Sequence, residues 1–125
     1  MSSGDPGPPK QVWPWPDSLD AVVAAPNHHT VLFENQSVRV LETRILPGQI
    51  VPVHTHRWPS VLLIVTWSDF VRRDQLRNVT LDTRQSQETP KLISPTWLEP
   101  LPPHTVENVG DREIRNLQVE IKTAT

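Results

Sequence analysis

His54 and His56 stand one residue apart in the stretch GQIVPVHTHRWPS, and the spacing raises a chemical possibility before any fold is known. On an extended strand, residues two apart project from one face with Cα atoms roughly 6.5 Å apart, a gap that two imidazoles about 2 Å from one ion can bridge. The pair therefore permits a metal chelate, although two solvent-facing or hydrogen-bonded histidines would satisfy the same spacing. The chain has no cysteine, so any metal must be held by nitrogen and oxygen ligands. Three more histidines are present. His28 and His29 are adjacent in PNHHT, where neighbours on a strand point to opposite faces, so they do not share an ion and are expected at the surface. His104 stands alone in PPHTVEN, its approach stiffened by Pro102 and Pro103.

The elements that must position these residues are short. Residues 1–16 hold five of the fourteen prolines and read as an extended arm, which Trp13 and Trp15 are expected to pack on something. Residues 17–125 read as one domain. It opens with one short helix in PDSLDAVVAAP, N-capped by Asp17 or Ser18 and followed by a proline. After it come TVLFEN, VRVLETRIL, IVPVHTH, VLLIVTW, LRNVTLDT and IRNLQVEIK, six strand-like runs separated by turn signals such as PGQ and NVGDRE. Many short strands with one helix predict an all-β sandwich or barrel. The Pro-rich stretch from Thr89 to Pro103 reads as an irregular crossing segment. Strand parity in IVPVHTH predicts Ile50, Pro52, His54 and His56 on one face and Val51, Val53 and Thr55 on the other. VLLIVTW is apolar throughout, which predicts cover on both faces, supplied by the arm or by the partner of a homodimer.

Composition narrows the partners. Twelve Lys plus Arg against fourteen Asp plus Glu give a formal charge of −2, which argues against nucleic acid. The basic cluster RRDQLR at 72–77 contains its own aspartate and reads as a solvated strand end or turn. No secretory signal and no apolar run of membrane-spanning length is visible, so a soluble, cytoplasmic protein is expected. No nucleophile elbow or phosphate loop appears. Glu42, Glu99, Glu107 and Glu120 lie in or beside predicted strands; one of them could face a metal as acid or base, but a solvated strand face is the expectation for each.

Gly48, His54 and His56, followed at a distance by His104 and Asn108, resemble the two motifs of the cupins, G-x5-H-x-H-x3,4-E-x6-G and G-x5-P-x-G-x2-H-x3-N. The resemblance spans about residues 30 to 122. It implies a double-stranded β-helix, a jelly-roll barrel, with the short N-terminal helix and Pro-rich arm ahead of it. It also implies one divalent ion, Fe, Ni, Mn or Zn, held by His54, His56 and His104. The chain departs from the motifs where Ser60 or Val61 replaces the glutamate, Trp67 or Ser68 the next glycine, and Glu99 and Leu101 the P-x-G positions. Without that glutamate the ligand set is neutral and the bound ion favours a small anionic substrate. A three-histidine site with iron resembles that of thiol and diketone dioxygenases; other metals would suit isomerase-like Lewis-acid chemistry. Two alternatives are a binding or sensing cupin without turnover, and a structural dimer with a degenerate metal site. Trp58, Ser60 and Trp97 are expected to line the pocket, and Asn108 to secure a turn.

Overall fold

Strands of three to eight residues with branched apolar side chains cannot hide both faces alone, and here they pair into two antiparallel sheets that face one another. The structure is a computed structural model that describes residues 12–86, 88 and 90–122. In chain order the strands are β1 (His29–Glu34), β2 (Val38–Ile45), β3 (Ile50–His56), β4 (Ser60–Thr66), β5 (Phe70–Asp74), β6 (Val79–Asp82), β7 (Thr96–Leu98), β8 (Leu101–Asn108) and β9 (Ile114–Ile121). One sheet runs β1-β2-β9-β4-β7, the other β3-β8-β5-β6. The predicted all-β architecture is thus present, with more strands than the sequence suggests.

The N-terminal helix is shorter and later than predicted. A 3-10 turn, Asp17–Leu19, precedes α1 (Ala21–Ala24), and the cap is Asp20, whose Oδ2 accepts the amide of Val22 at 3.1 Å. Asp17 and Ser18 fall inside the 3-10 turn instead. Asp20 bridges to Thr55 of β3, and Thr55 is 1% exposed, so this segment covers the outer face of β3 beside its histidines. Of the arm, Trp13 and Trp15 are half-buried; residues 1–11 lie outside the described residues.

The RRDQLR cluster is the strand end and turn expected of it, and two later segments differ from the sequence reading. β5 and the turn after it occupy the RRDQLR cluster, with Arg77 in the left-handed region at φ 70° and Asp74 Oδ1 accepting the amides of Leu76 and Asn78. The run LRNVTLDT shortens to β6, because Leu76 to Asn78 belong to that turn. The supposed irregular stretch Thr89–Pro103 contains β7 and the start of β8. Two prolines can sit in β8 because Pro102 and Pro103 lie where neither ladder requires their amides. Pairing with β5 runs only from His104 to Asn108, and pairing with β3 is broken between His54 and His56.

The end of β2 and the start of β3 are joined by Leu46-Pro47-Gly48-Gln49, closed by the Gln49 amide on the Leu46 carbonyl at 3.0 Å. Proline second and a glycine third at φ 81° make this a type II turn, a backbone that a side chain at position 48 would strain. The Gly48 amide bonds the Asn108 carbonyl, and the Asn108 amide bonds the Gln49 carbonyl, each at 3.0 Å. These bonds set where β3 begins against β8. The Asn108 side chain, 1% exposed, then ties three loops together. Its Nδ2 donates to the carbonyls of Ile45 and Arg112, and its Oδ1 accepts from Ser68 Oγ and the Gly110 amide. Asn108 secures turns, as its place in the motif suggests. Asn108→Ala should therefore lower stability by about 3 kcal/mol, since several buried polar partners lose their bonds at once; chemical denaturation monitored by tryptophan fluorescence measures it, and a change under about 1 kcal/mol would contradict this role.

Candidate metal centre

β3 does not keep the even alternation expected of it. Its pairing with β8 shifts between Val51 and His54 and again between His54 and His56. An extra residue in one strand reverses the faces beyond it. Val51, His54 and His56 consequently face the space between the sheets, while Ile50 is 55% exposed. The expected grouping of Ile50 and Pro52 with the histidines is thus corrected, and the grouping of His54 with His56 stands. His104 on β8 is the cross-strand partner of His54, and their ring centroids are 4.3 Å apart.

His29 is the residue that sequence reasoning places wrongly. It is 4% exposed at the first position of β1, with its ring 4.8 Å from His54 and 5.4 Å from His56. The adjacency rule holds in that His28 turns away, half-exposed, to the Arg44 carbonyl. It fails in sending both to the surface. Nothing in the sequence marks His29, because the remaining five residues of β1 are exposed and show no buried face. The buried start of the strand comes from α1 docking beside it, where the Ala25 carbonyl receives the His29 ring.

Each of the four buried rings has its Nδ1 engaged. His29 bonds the Ala25 carbonyl at 3.0 Å, His54 the Pro52 carbonyl at 2.8 Å, His104 the Pro102 carbonyl at 2.7 Å, and His56 reaches Glu120 Oε2 at 3.4 Å. A carbonyl accepts only, so in the neutral rings of His29, His54 and His104 Nδ1 carries the proton and Nε2 keeps its lone pair. His54 and His104 do so in the same way, each on the carbonyl of a proline two residues earlier.

Burial favours the neutral form of His29, His54 and His104. It lowers the His29 pKa from the usual 6.5 to about 4 and that of His104 to about 3, with the neighbouring His56 ring as the next cause in both. His54 is held well below its usual value by burial and then by His104 and His56. The carbonyls on Nδ1 favour protonation but are outweighed.

Glu120 is not on a solvated face as expected; it is 0% exposed behind His56. Its Oε1 accepts Arg39 Nε at 2.6 Å, and the same guanidinium holds both oxygens of Asp20 at 2.8 and 2.9 Å. The helix cap, β2, β9 and the site histidine are thereby connected. Arg39 also lies 4.9 Å from the Trp58 ring, which Lys122 and Arg57 approach at 5.5 and 5.6 Å.

The four rings line a cavity of about 130 Å³ between the sheets. Its apolar floor is formed by Ile45, Val51, Phe70, Val106 and Ile114. Three expected lining residues are absent from it. Trp58 lies under the cations just named, Trp97 is 54% exposed, and Ser60 is buried but accepts Gln118 Nε2 at 2.9 Å, so that Gln118 reaches the cavity in its place. Trp67 is the tryptophan in the wall.

The donor set suits a divalent ion. One nitrogen from each of His29, His54 and His56 lies within 4.8 Å of the others. The imidazoles would converge on a shared ion at about 2.1 Å if the rings moved inward. The expected third ligand, His104, lies outside this group of three, and His29 takes its place; the His104 ring adjoins it at 4.3 Å from His54 and 5.8 Å from His56 between centroids.

No family model matches the chain, and no curated protein matches it in sequence. Solved structures do. A cupin domain from Bordetella pertussis Tohama I is similar with a TM-score of 0.60 and 24% identity over 75% of this chain and 91% of that one. A conserved double-stranded β-helix protein from Klebsiella pneumoniae subsp. pneumoniae gives 0.52 and 17% over 75% and 70%. A cupin family protein from Methanocaldococcus jannaschii gives 0.52 and 11% over 74% and 77%.

Neutral buried imidazoles make the metal-free fold acid-sensitive. The unfolded chain binds these protons near pH 6.5, whereas the folded chain resists until about pH 4 at His29 and about pH 3 at His104. Their contribution is complete above about pH 6.5 and is lost as pH falls toward 3. Calorimetric melting of metal-stripped protein should show the melting temperature falling steadily from pH 6.5 to 4.5, where most carboxylates are still ionised; a flat profile there would contradict the assignment.

Proposed function

From the cupin double-stranded β-helix that this chain adopts, we propose that it binds one divalent metal ion through His54, His56 and His104, with His29 as a fourth nitrogen, and presents the ion to a small anionic ligand in the cavity. The single observation that carries this reading is that all four buried Nδ1 atoms face an acceptor, so every ring offers the same free nitrogen. The four rings, packed at centroid distances of 4.3 to 5.8 Å, have no other partner for those nitrogens among the described residues. A structural cluster would gain more from apolar side chains.

The ion would supply Lewis acidity toward a coordinated oxygen or, if iron, the capacity to use dioxygen. The chain's own residues do the rest. The Pro52 and Pro102 carbonyls hold two rings in one orientation, Glu120 holds a third, and the apolar floor keeps water from the inner end. No ligand carboxylate enters the set, so the charge of the ion stays uncompensated until an anion arrives.

A binding or sensing role without turnover is favoured by one feature: among the described residues lining the cavity there is no Asp or Glu to act as acid or base. An enzyme and a sensor would share the metal site and differ only in whether the bound ligand is converted. Homodimer formation fits the apolar side chains left open on edge strand β1, where Leu32 and Phe33 are 52% and 54% exposed.

Elemental analysis of untagged protein should find close to one divalent ion per chain, as isolated or after reconstitution with Fe, Ni, Mn or Zn. His54→Ala and His104→Ala should abolish retention with the fold intact by circular dichroism, and His29→Ala should weaken it by at least about tenfold. Wild-type protein that takes up none of the four metals would overturn the reading, and retention by His104→Ala would remove that residue from the ligand set.

A further inference from the structure

Arg72 belongs to the RRDQLR cluster, where the sequence suggests solvent-facing basic residues, yet it is the member that points inward. It shares the inner face of β5 with Phe70, and both line the cavity. Its guanidinium carbon lies 5.8 Å from the Phe70 ring. Across the ladder Arg72 is opposite Val106 of β8, and His104 is two residues along the same strand, so the guanidinium and the histidines share one side of the sheet. The cation is close enough to weigh against protonation of His104.

No ion pair joins Arg72 to any described residue, and its Nε is buried with no hydrogen-bond partner. The acids of the surrounding strands are committed elsewhere. Glu107 accepts Arg73 at 2.9 Å, Asp82 accepts Arg84, and Asp74 accepts the amides of its own turn. Burial accordingly opposes the charge of Arg72, and the Phe70 ring rather than a carboxylate is what the protein sets beside it. Arg72 is half-buried, with its Nε shut away from solvent and unpartnered, so a counter-charge entering the cavity would offset what burial opposes. Its fork of donors matches a carboxylate better than any neutral group does.

We propose that Arg72 is the ligand-recognising residue of the cavity, gripping the carboxylate of a small organic acid whose apolar remainder rests on Val51, Phe70 and Val106. This rests on the cavity being the ligand site described above, and it names what the ligand must carry. The cavity volume of about 130 Å³ restricts the body to a few carbon atoms. With one end at Arg72, the acid lies beside His104 and within reach of the histidine group.

Propionate is the probe and propionamide its uncharged counterpart of the same shape. Melting temperatures are measured with each, at millimolar concentration and matched ionic strength, on protein as isolated and after chelation of metal. Propionate should raise the melting temperature of the wild type in both states and propionamide should not. Arg72→Met should weaken the propionate effect by at least about tenfold in apparent affinity while melting no lower than the wild type without ligand, because it removes an unpaired buried charge. Arg72→Lys should keep part of the effect. An equal propionate shift in Arg72→Met, or none in the wild type, would overturn the proposal; so would a markedly lower melting temperature of Arg72→Met without ligand, which marks a structural cation. Metal content measured on the same samples separates the two readings, since the chelated protein tests Arg72 whether or not an ion binds.

Discussion

Packing four imidazoles together in the low-dielectric space between two sheets disfavours charge on neighbouring rings and requires an acceptor for each N–H. That constraint organises the rest of the molecule. Charging one ring would place a cation among three neighbours within 6 Å between centroids, and leaving one Nδ1 unpaired would cost about 1–3 kcal/mol. The fold meets both demands with backbone wherever it can. A proline carbonyl two residues before His54 and another before His104 accept their protons, and the helix C-terminus supplies Ala25 for His29. The β3 irregularities serve the same end: without the shift between Val51 and His54, the apolar floor and the histidines would face opposite sides.

His56 alone relies on a charged side chain, and through it the site is tied to the N-terminus. Glu120 behind His56 is held by Arg39, which is held in turn by Asp20, the residue that caps α1. Burial by itself would raise the Asp20 pKa, but the Arg39 guanidinium holds it below its usual value. Two carboxylates against one guanidinium leave this network one negative charge in excess. A buried pair with excess charge is a poor source of stability by itself. It is well placed opposite a cation, and the nearest position for one is beyond His56.

The sequence carried the fold and the central pair well, and for identifiable reasons. Strand runs with branched apolar residues, the PGQ turn that closes as type II, and the HxH spacing all depend on local chemistry that propensity and period report. What escaped depends on contacts far apart in the chain. β8 was hidden because Pro102 and Pro103 signal a break, and only the gap in both neighbouring ladders makes them acceptable. His29 was hidden because α1, not the pattern of β1, buries it. Glu120 and Arg72 alternate correctly on their strands, yet parity alone does not tell which face is inside, and charge argues for the wrong one. Trp58 and Trp97 were misplaced by the same reasoning in reverse, since a large apolar ring was assumed to seek the pocket when three cations or solvent receive it.

The missing motif glutamate has a consequence that reaches beyond ligand count. A carboxylate in the ligand set would cancel one charge of the ion and lower its demand for an outside anion. Here Ser60, near that position, is turned to Gln118, and the one buried glutamate stands behind a ring rather than beside the cavity. Negative charge is therefore kept in the outer layer, where it orients His56, and is absent from the inner one. The inner layer holds neutral nitrogens, an apolar floor and the single unpaired guanidinium of Arg72 among the described lining residues. An interior so arranged is positive before any ion enters and more so afterwards. Since transfer of an isolated charge into such a space is strongly unfavourable, the fold tolerates this only where a counter-charge arrives from outside and leaves again. Were a ligand to bind there as proposed, selectivity for an acid over its neutral analogue would follow from the layering of charge, and selectivity for a small one from the apolar floor beneath it.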